Sequence, residues 1–89
     1  MLESTLQITN VLGLHARAAA KVVSVASRYS ARIHIVKDER LIDAKSIMGL
    51  LMLGAARGTS LTVRVEGEDE KHAMDELTDL FERKFDEEQ

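Results

Sequence analysis

Two spacings of apolar side chains divide the chain into strands and helices. Apolar and polar residues alternate in four short stretches, which predicts strands with one buried face: 3–9, 31–37, 40–43 and 61–66. Apolar residues recur at helical spacing, or in one short run, in three other stretches, which predicts helices: 16–29, 47–53 and 70–84. Four strands with one apolar face each need a single covering layer. We therefore predict an α+β fold, a two-layer open-faced β-sandwich in which three helices cover one face of a four-stranded antiparallel sheet.

The short helix 47–53 has almost no polar face. A helix packed on a sheet buries only part of its circumference, so we assign Leu50 and Leu53 to the core and expect the other apolar side chains to be exposed. The expected partner-binding patch consists of four residues of this helix and two residues beside it: Ile47, Met48, Leu51 and Met52, with Leu14 and Ala20. Exposed apolar patches usually mark interaction sites, and methionine suits a surface that meets several partners. The alternative is that these residues seal the core or a dimer.

Composition narrows the classes of function. With 89 residues, 45% hydrophobic and 30% charged, the chain predicts one soluble domain, 1–89. Cysteine is absent, which fits a reducing, cytoplasmic location, and neither a membrane span nor a secretory signal is expected. The net charge of −3 argues against a nucleic-acid binder. We expect no metal site and no cofactor. The acidic tail 86–89 is expected to fray.

The candidate chemistry lies where a loop becomes the first helix, at His15. Histidine is not a favoured residue at a helix start, so its presence there needs another reason. Free backbone N–H groups at a helix start can hold a phosphate, and a neutral imidazole nitrogen can act as a nucleophile near neutral pH. Arg17 is close enough to fold onto an oxyanion, and Gly13 permits an unusual turn. The alternative is that His15 is an incidental surface residue.

Two motifs resemble those of a known family. The sequence GLHAR at 13–17, followed by Ala19 and Ala20, is similar to the phosphorylation motif of the HPr family, the histidine phosphocarriers of the bacterial phosphoenolpyruvate-dependent phosphotransferase system. About thirty residues later, DAKSIMGL at 43–50 resembles the segment around the family's regulatory serine. The resemblance covers essentially the whole chain, and the predicted element order is also that of the family.

The resemblance implies a role for each matching residue. His15 would accept the phosphoryl group through Nδ1, Arg17 would steady that group, and Ser46 would be phosphorylated in some relatives by an HPr serine kinase/phosphorylase. Ser46 is in any case expected to cap the short helix. The family usually has proline where this chain has Ala18; because alanine is a strong helix former, we expect little loss.

The resemblance also implies partners. Enzyme I would donate the phosphoryl group and an enzyme IIA-type protein would accept it, each binding the apolar patch of a monomeric carrier that has no turnover of its own. The run at 50–53 and the ending at 85–87 resemble the nitrogen-related branch more than the sugar-transport branch, while Ser46 suits either. A ligand-sensing or interaction module is the alternative class, and it would need convergent polar residues that the sequence does not indicate.

Overall fold

The computed structural model describes residues 1–89 and contains the predicted elements in the predicted order, followed by one short turn. The strands are β1 (Leu2–Gln7), β2 (Arg32–Lys37), β3 (Arg40–Asp43) and β4 (Ser60–Glu66). The helices are α1 (Ala16–Ala26), α2 (Ile47–Met52) and α3 (Glu70–Glu82), and the final turn is Lys84–Asp86. The α+β prediction is confirmed.

The four strands form one antiparallel sheet in the order β1-β4-β2-β3. Alternation decides which face is covered: Leu61, Val63 and Val65 of β4 are fully buried, whereas Thr62 and Arg64 between them remain partly exposed. Strand side chains point alternately to opposite faces, so a period of two places every second residue of β4 under the helices. The other face of the sheet is open.

The three helices lie on the covered face. Helix α3 packs against β1 and β4, α1 packs against α3, and α2 packs against α1 and β3. Ala18 and Ala19 of α1 are fully buried against the rest of the fold. Because their side chains are small, α1 can lie close to its neighbours. Ala18 therefore faces the core in the position where the family usually has proline. None of the helices is long and apolar enough to cross a membrane.

Two predicted helices end earlier than the apolar spacing suggested. Helix α1 ends at Ala26 and α3 at Glu82, although both were predicted to extend further. After α3 the backbone turns left-handed over Lys84–Asp86, with φ of 56°, 55° and 66° at the three residues. A left-handed turn cannot continue a right-handed helix, so the chain reverses here although Phe85 keeps its place in the core.

Candidate functional site

His15 is the N-cap residue of α1. Its backbone is extended, with φ −82° and ψ −178°, and its Nδ1 accepts a hydrogen bond of 3.3 Å from the backbone N–H of Arg17. The helical ladder begins with the N–H of Ala19, which donates to the His15 carbonyl at 2.8 Å. A capping side chain normally uses a hydroxyl or carboxylate oxygen to accept a first-turn N–H, and here a ring nitrogen takes that place. Nδ1 therefore carries its lone pair at the start of the helix.

The loop before His15 is held against a second loop. Gly13 has φ +70°, and a Cβ on it would lie 2.6 Å from the Ala55 carbonyl oxygen, so only glycine fits this turn. The N–H of Leu14 donates to the same Ala55 carbonyl at 2.9 Å. This crossing turns the Leu14 side chain inward, where it is 5% exposed. The expectation that Leu14 belongs to the exposed patch is therefore wrong.

The other ring nitrogen of His15 faces the carboxylate of Glu87. Nε2 is hydrogen-bonded to Glu87 Oε2, and the side chains of His15 and Glu87 are 30% and 19% exposed. A carboxylate can only accept, so Nε2 is the nitrogen that carries the proton. The two hydrogen bonds of the ring agree, since Nδ1 accepts from Arg17 and Nε2 donates to Glu87. The neutral ring is thus the Nε2–H tautomer, with Nδ1 unprotonated.

Asn10 holds Glu87 from the opposite side. It is a fully buried polar residue, and its Nδ2 donates to Glu87 Oε1 at 2.9 Å and to the Gly13 carbonyl at 2.8 Å. The Asn10 hydrogen bond, followed by that of His15, holds the pKa of the Glu87 carboxyl below its ordinary value of 4.5, although partial burial opposes the shift. Glu87 is therefore an ionised carboxylate that accepts two hydrogen bonds at neutral pH.

The tail that brings Glu87 to His15 is docked, and the expectation that residues 86–89 fray is wrong. Phe85 is fully buried and packs edge-to-face on Phe81 at a centroid distance of 4.9 Å. Lys21 Nζ donates to the Phe85 carbonyl at 2.9 Å and to Asp86 at 3.1 Å. Left-handed backbone costs roughly 1–2 kcal/mol at each non-glycine residue, so these contacts must hold the turn in place.

Arg17 contributes its backbone to the ring and leaves its side chain free. The residue is exposed, and the guanidinium has no ion pair or hydrogen bond within residues 1–89. A free guanidinium two residues from His15 can swing towards an anion bound there and offer two parallel donors. Residues 1–89 contain no group of three side chains able to hold a metal ion.

The start of α2 has a simpler construction. Ser46 is the N-cap residue, and its Oγ accepts from the backbone N–H of Gly49 at 3.2 Å. The capping role predicted for Ser46 is confirmed. Its phosphorylation stays a prediction.

The apolar residues of α2 divide between core and surface as predicted. Leu50 is fully buried and Leu53 is 2% exposed. The exposed set, with Ala20 of α1 beside it, forms what is called the docking patch below: Ala20, Ile47, Met48, Leu51 and Met52. Met48 and Met52 are the most exposed, at 65% and 68%. The exposure is confirmed, and the binding role stays a prediction.

Four residues around His15 had no part in the expected site. Glu87 bonds to the ring and Asn10 bonds to Glu87, whereas Val11 and Leu12 leave their apolar side chains exposed on the loop before His15. Val11 is tied to the tail, because its N–H donates to the Gln89 carbonyl at 2.5 Å. The sequence contained one usable signal, an asparagine directly after the predicted strand 3–9. No local pattern pointed to Glu87.

Comparison with known proteins identifies the family. The family model described as "PTS HPr component phosphorylation site" matches residues 2–83. The phosphocarrier protein HPr of Xylella fastidiosa is 48% identical over 87 residues, which cover 98% of each chain. The crystal structure of HPr-C-His from Thermoanaerobacter tengcongensis superposes with a TM-score of 0.96 at 46% identity and covers 100% of both chains. An HPr dimer from the same organism gives a TM-score of 0.79 over 98% of this chain and 100% of that chain, also at 46% identity. The chain belongs to the HPr family of phosphocarrier proteins of the phosphotransferase system, which carry a phosphoryl group and have no independent turnover.

Proposed function

We propose that His15 accepts a phosphoryl group from enzyme I through Nδ1 and passes it to an enzyme IIA-type protein. The observation that carries this proposal is the orientation of the ring. Nδ1 has its lone pair at the N-terminus of α1, beside the backbone N–H of Arg17. A nucleophile in that position attacks where helix N–H groups can hold the oxygens of the phosphoryl group.

The transfer step needs position and charge compensation more than further covalent chemistry. The Nδ1 lone pair of His15 attacks the phosphorus atom of a phosphohistidine on the donor. The new N–P bond forms as the donor's N–P bond breaks, and the donor imidazole leaves. The Arg17 N–H, which bonds weakly to Nδ1 at rest, is then free to donate to a phosphoryl oxygen, and the unpaired guanidinium of Arg17 supplies the positive charge.

The carrier role is tested by incubating the protein with enzyme I and phosphoenolpyruvate and measuring acid-labile phosphate. We expect one phosphoryl group per chain in the wild type and none in His15→Ala. His34→Ala is the matched control, because His34 alternates with the buried Ile33 and Ile35 of β2 and so lies on the open face of the sheet; the variant should leave incorporation unchanged. Incorporation that persists in His15→Ala, or that never occurs in the wild type, would refute the proposal.

The docking patch is proposed to receive both donor and acceptor. It lies beside the start of α1, and its side chains lose unfavourable contact with water when a partner covers them. Met48→Asp should raise the KM for transfer from enzyme I about tenfold, because a buried unpaired carboxylate is costly. Leu41→Asp is the matched control, since Leu41 is 56% exposed on β3, outside the patch. Equal KM values for the two variants would remove the patch from docking.

Ser46 is proposed as a second phosphorylation site, for an ATP-dependent HPr serine kinase/phosphorylase. A phosphate at the N-terminus of α2 would be accepted electrostatically, and it would add about −1.5 to −2 charge beside the docking patch. Incubation with such a kinase and ATP should label the wild type and leave Ser46→Ala unlabelled. Labelling of the alanine variant would place the modification elsewhere.

The proposal also covers the acceptor protein, the cellular location and the oligomeric state of the carrier. We propose a cytoplasmic monomer, because a carrier must free its docking patch from one partner to meet the next. Phosphorylated protein should transfer to an enzyme IIA of either the sugar-transport or the nitrogen-related branch, and the faster acceptor identifies the branch. Sedimentation should give the mass of one chain; a stable dimer whose formation is abolished by Met48→Asp would mean that the patch is a self-interface.

A further inference from the structure

The carboxylate of Glu87 is placed to control which ring nitrogen of His15 carries the proton. It accepts from His15 Nε2 through one oxygen and from Asn10 Nδ2 through the other. A solvated imidazole exchanges its proton between the two nitrogens, and only the tautomer with an unprotonated Nδ1 can use that atom as a nucleophile. The hydrogen bond to Glu87 favours that tautomer before any partner arrives.

The orientation of Asn10 is itself fixed. Both hydrogens of its Nδ2 are used, one towards Glu87 and one towards the Gly13 carbonyl. Turning the amide over would place its oxygen against the Gly13 carbonyl oxygen, where two acceptors would repel. Asn10 therefore always presents a donor to residue 87, and the carboxylate is the group that can accept from Asn10 and His15 together.

The tail is constrained to deliver Glu87 to this position. Three consecutive non-glycine residues of the turn Lys84–Asp86 have positive φ. Such conformations persist only where surrounding contacts over-determine them, and they concentrate at functional sites. The contacts are the burial of Phe85 and the two hydrogen bonds from Lys21 of α1, the helix that His15 caps. The strained turn and the ring it serves are thus anchored to the same helix.

We propose that Glu87 is a positioning residue for phosphoryl transfer: it holds His15 as the Nε2–H tautomer with Nδ1 unprotonated, and Asn10 orients it. This inference rests on the proposed use of His15 as the acceptor. After transfer to Nδ1, the proton on Nε2 still faces the carboxylate, which lies across the ring from the phosphoryl group. The negative charge of Glu87 therefore balances the positive phosphoimidazole ring without adjoining the phosphate.

The substitution Glu87→Gln has an unusual predicted effect. The side-chain oxygen of glutamine must face Asn10, because Asn10 can only donate there. The glutamine NH₂ then faces His15, so Nε2 becomes an acceptor and the ring proton moves to Nδ1, which breaks the weak 3.3 Å hydrogen bond from the Arg17 N–H. The nearly isosteric variant would therefore protonate the nucleophilic nitrogen, whereas Glu87→Ala would only release the ring.

Two measurements test this reversal. Long-range ¹H–¹⁵N correlation spectra of unphosphorylated protein, at mildly alkaline pH, should place the His15 proton on Nε2 in the wild type and on Nδ1 in Glu87→Gln, with a mixture in Glu87→Ala. The rate of phosphoryl acceptance from enzyme I should fall in the order wild type, Glu87→Ala, Glu87→Gln, with the last slower than wild type by about tenfold or more. Glu88→Gln, an exposed neighbour in the same tail, is the matched control and should behave as wild type.

The outcomes separate positioning from a packing role. A role limited to packing the tail would make Glu87→Gln milder than Glu87→Ala. A Glu87→Gln ring that keeps its proton on Nε2, or a Glu87→Gln rate equal to or above that of Glu87→Ala, would overturn the proposal. The spectra need no partner protein. A wild type that takes up no phosphoryl group would therefore refute the proposed function, whereas an unaltered tautomer in Glu87→Gln would refute only the positioning role.

Discussion

Helices α1 and α2 both begin with a side chain that caps a backbone N–H group, and only one of the two capping side chains makes a further hydrogen bond. His15 Nδ1 accepts from Arg17 at 3.3 Å, and Ser46 Oγ accepts from Gly49 at 3.2 Å. The serine uses its single oxygen for the cap. The imidazole has a second nitrogen on the opposite side of its ring, and this nitrogen reaches the carboxylate of Glu87.

The comparison shows that a capped helix start is by itself a structural device. What distinguishes the start of α1 is a second layer of contacts from the C-terminal tail, together with a guanidinium that has no partner. Ser46 has no such layer, since its only side-chain hydrogen bond is the cap. Under the proposed function, a kinase would therefore have to bring the groups that activate Ser46, whereas the groups proposed to serve His15 belong to this chain.

The largest effect is expected when the capping residue of α1, His15, is replaced by serine, the residue type that caps α2. His15→Ser should keep α1 capped, because serine is a favoured N-cap residue, and should abolish acid-labile phosphorylation by enzyme I. Thermal unfolding should therefore change little while phosphate incorporation falls to background. An unfolded His15→Ser protein would show that the contact between His15 and Glu87 is needed for stability, and the two starts would then differ structurally as well as chemically.

The next largest effect is expected at Arg17, whose guanidinium has no ion pair. Arg17→Ala should slow phosphoryl acceptance roughly 10- to 100-fold in single-turnover assays, because one source of positive charge for the transition state is lost. The fold should be unchanged, since the Arg17 side chain is exposed and makes no hydrogen bond or ion pair that would be broken. Arg32→Ala, at an exposed arginine on β2, is the matched control. An unchanged rate in Arg17→Ala would leave the helix N-terminus alone to hold the phosphoryl group.

A pH titration tests, without any mutation, the tail contacts that only the start of α1 has. Hydrogen bonds from Asn10 and His15 stabilise the Glu87 carboxylate and hold its pKa below the ordinary value of 4.5. The contribution of this carboxylate to docking of the tail is therefore fully present above pH 4.5 and is lost as the pH falls through the lower pKa of the folded state. The pKa of Asp86 is lowered in the same direction by Lys21 and Arg83. Carboxyl NMR shifts should give a Glu87 midpoint below 4.5; a midpoint at or above that value would contradict the docked geometry.

The smallest effect is expected when Ser46, the capping residue of α2, is replaced by alanine. Ser46→Ala should lower the free energy of unfolding by about 1 kcal/mol, the usual cost of losing an N-cap hydrogen bond. The rate of phosphoryl acceptance by His15 should stay near that of the wild type, because the cap is not part of the transfer site. Chemical denaturation and the enzyme I assay measure the two quantities. A large fall in rate without a fall in stability would place Ser46 in the transfer site.

Local pattern was sufficient for the type and order of the elements, though not for the ends of α1 and α3, and for most of the surface. A period of two along β4 predicted its buried residues, and the unbroken apolar run of α2 predicted that Leu50 is buried while Met48 is exposed. It failed at Leu14, where the loop is turned inward by the hydrogen bond from the Leu14 N–H to the Ala55 carbonyl. The direction of a loop side chain depends on what the loop crosses, and no periodicity records that.

The sequence alone determined the α+β architecture, the place of His15 at a helix start and the motif that relates the chain to its family. These depend on side-chain spacing and local capping, which act over a few residues. Only the tertiary structure decided that Glu87 meets the His15 ring and that Asn10 holds Glu87 there. Glu87 lies 72 residues from His15 and 77 from Asn10 along the chain. It reaches them through a left-handed turn that contains no glycine, so the sequence gives no local sign of the turn. Such a contact exists because packing of Phe85 and Lys21 over-determines the backbone, which is a property of the folded molecule as a whole.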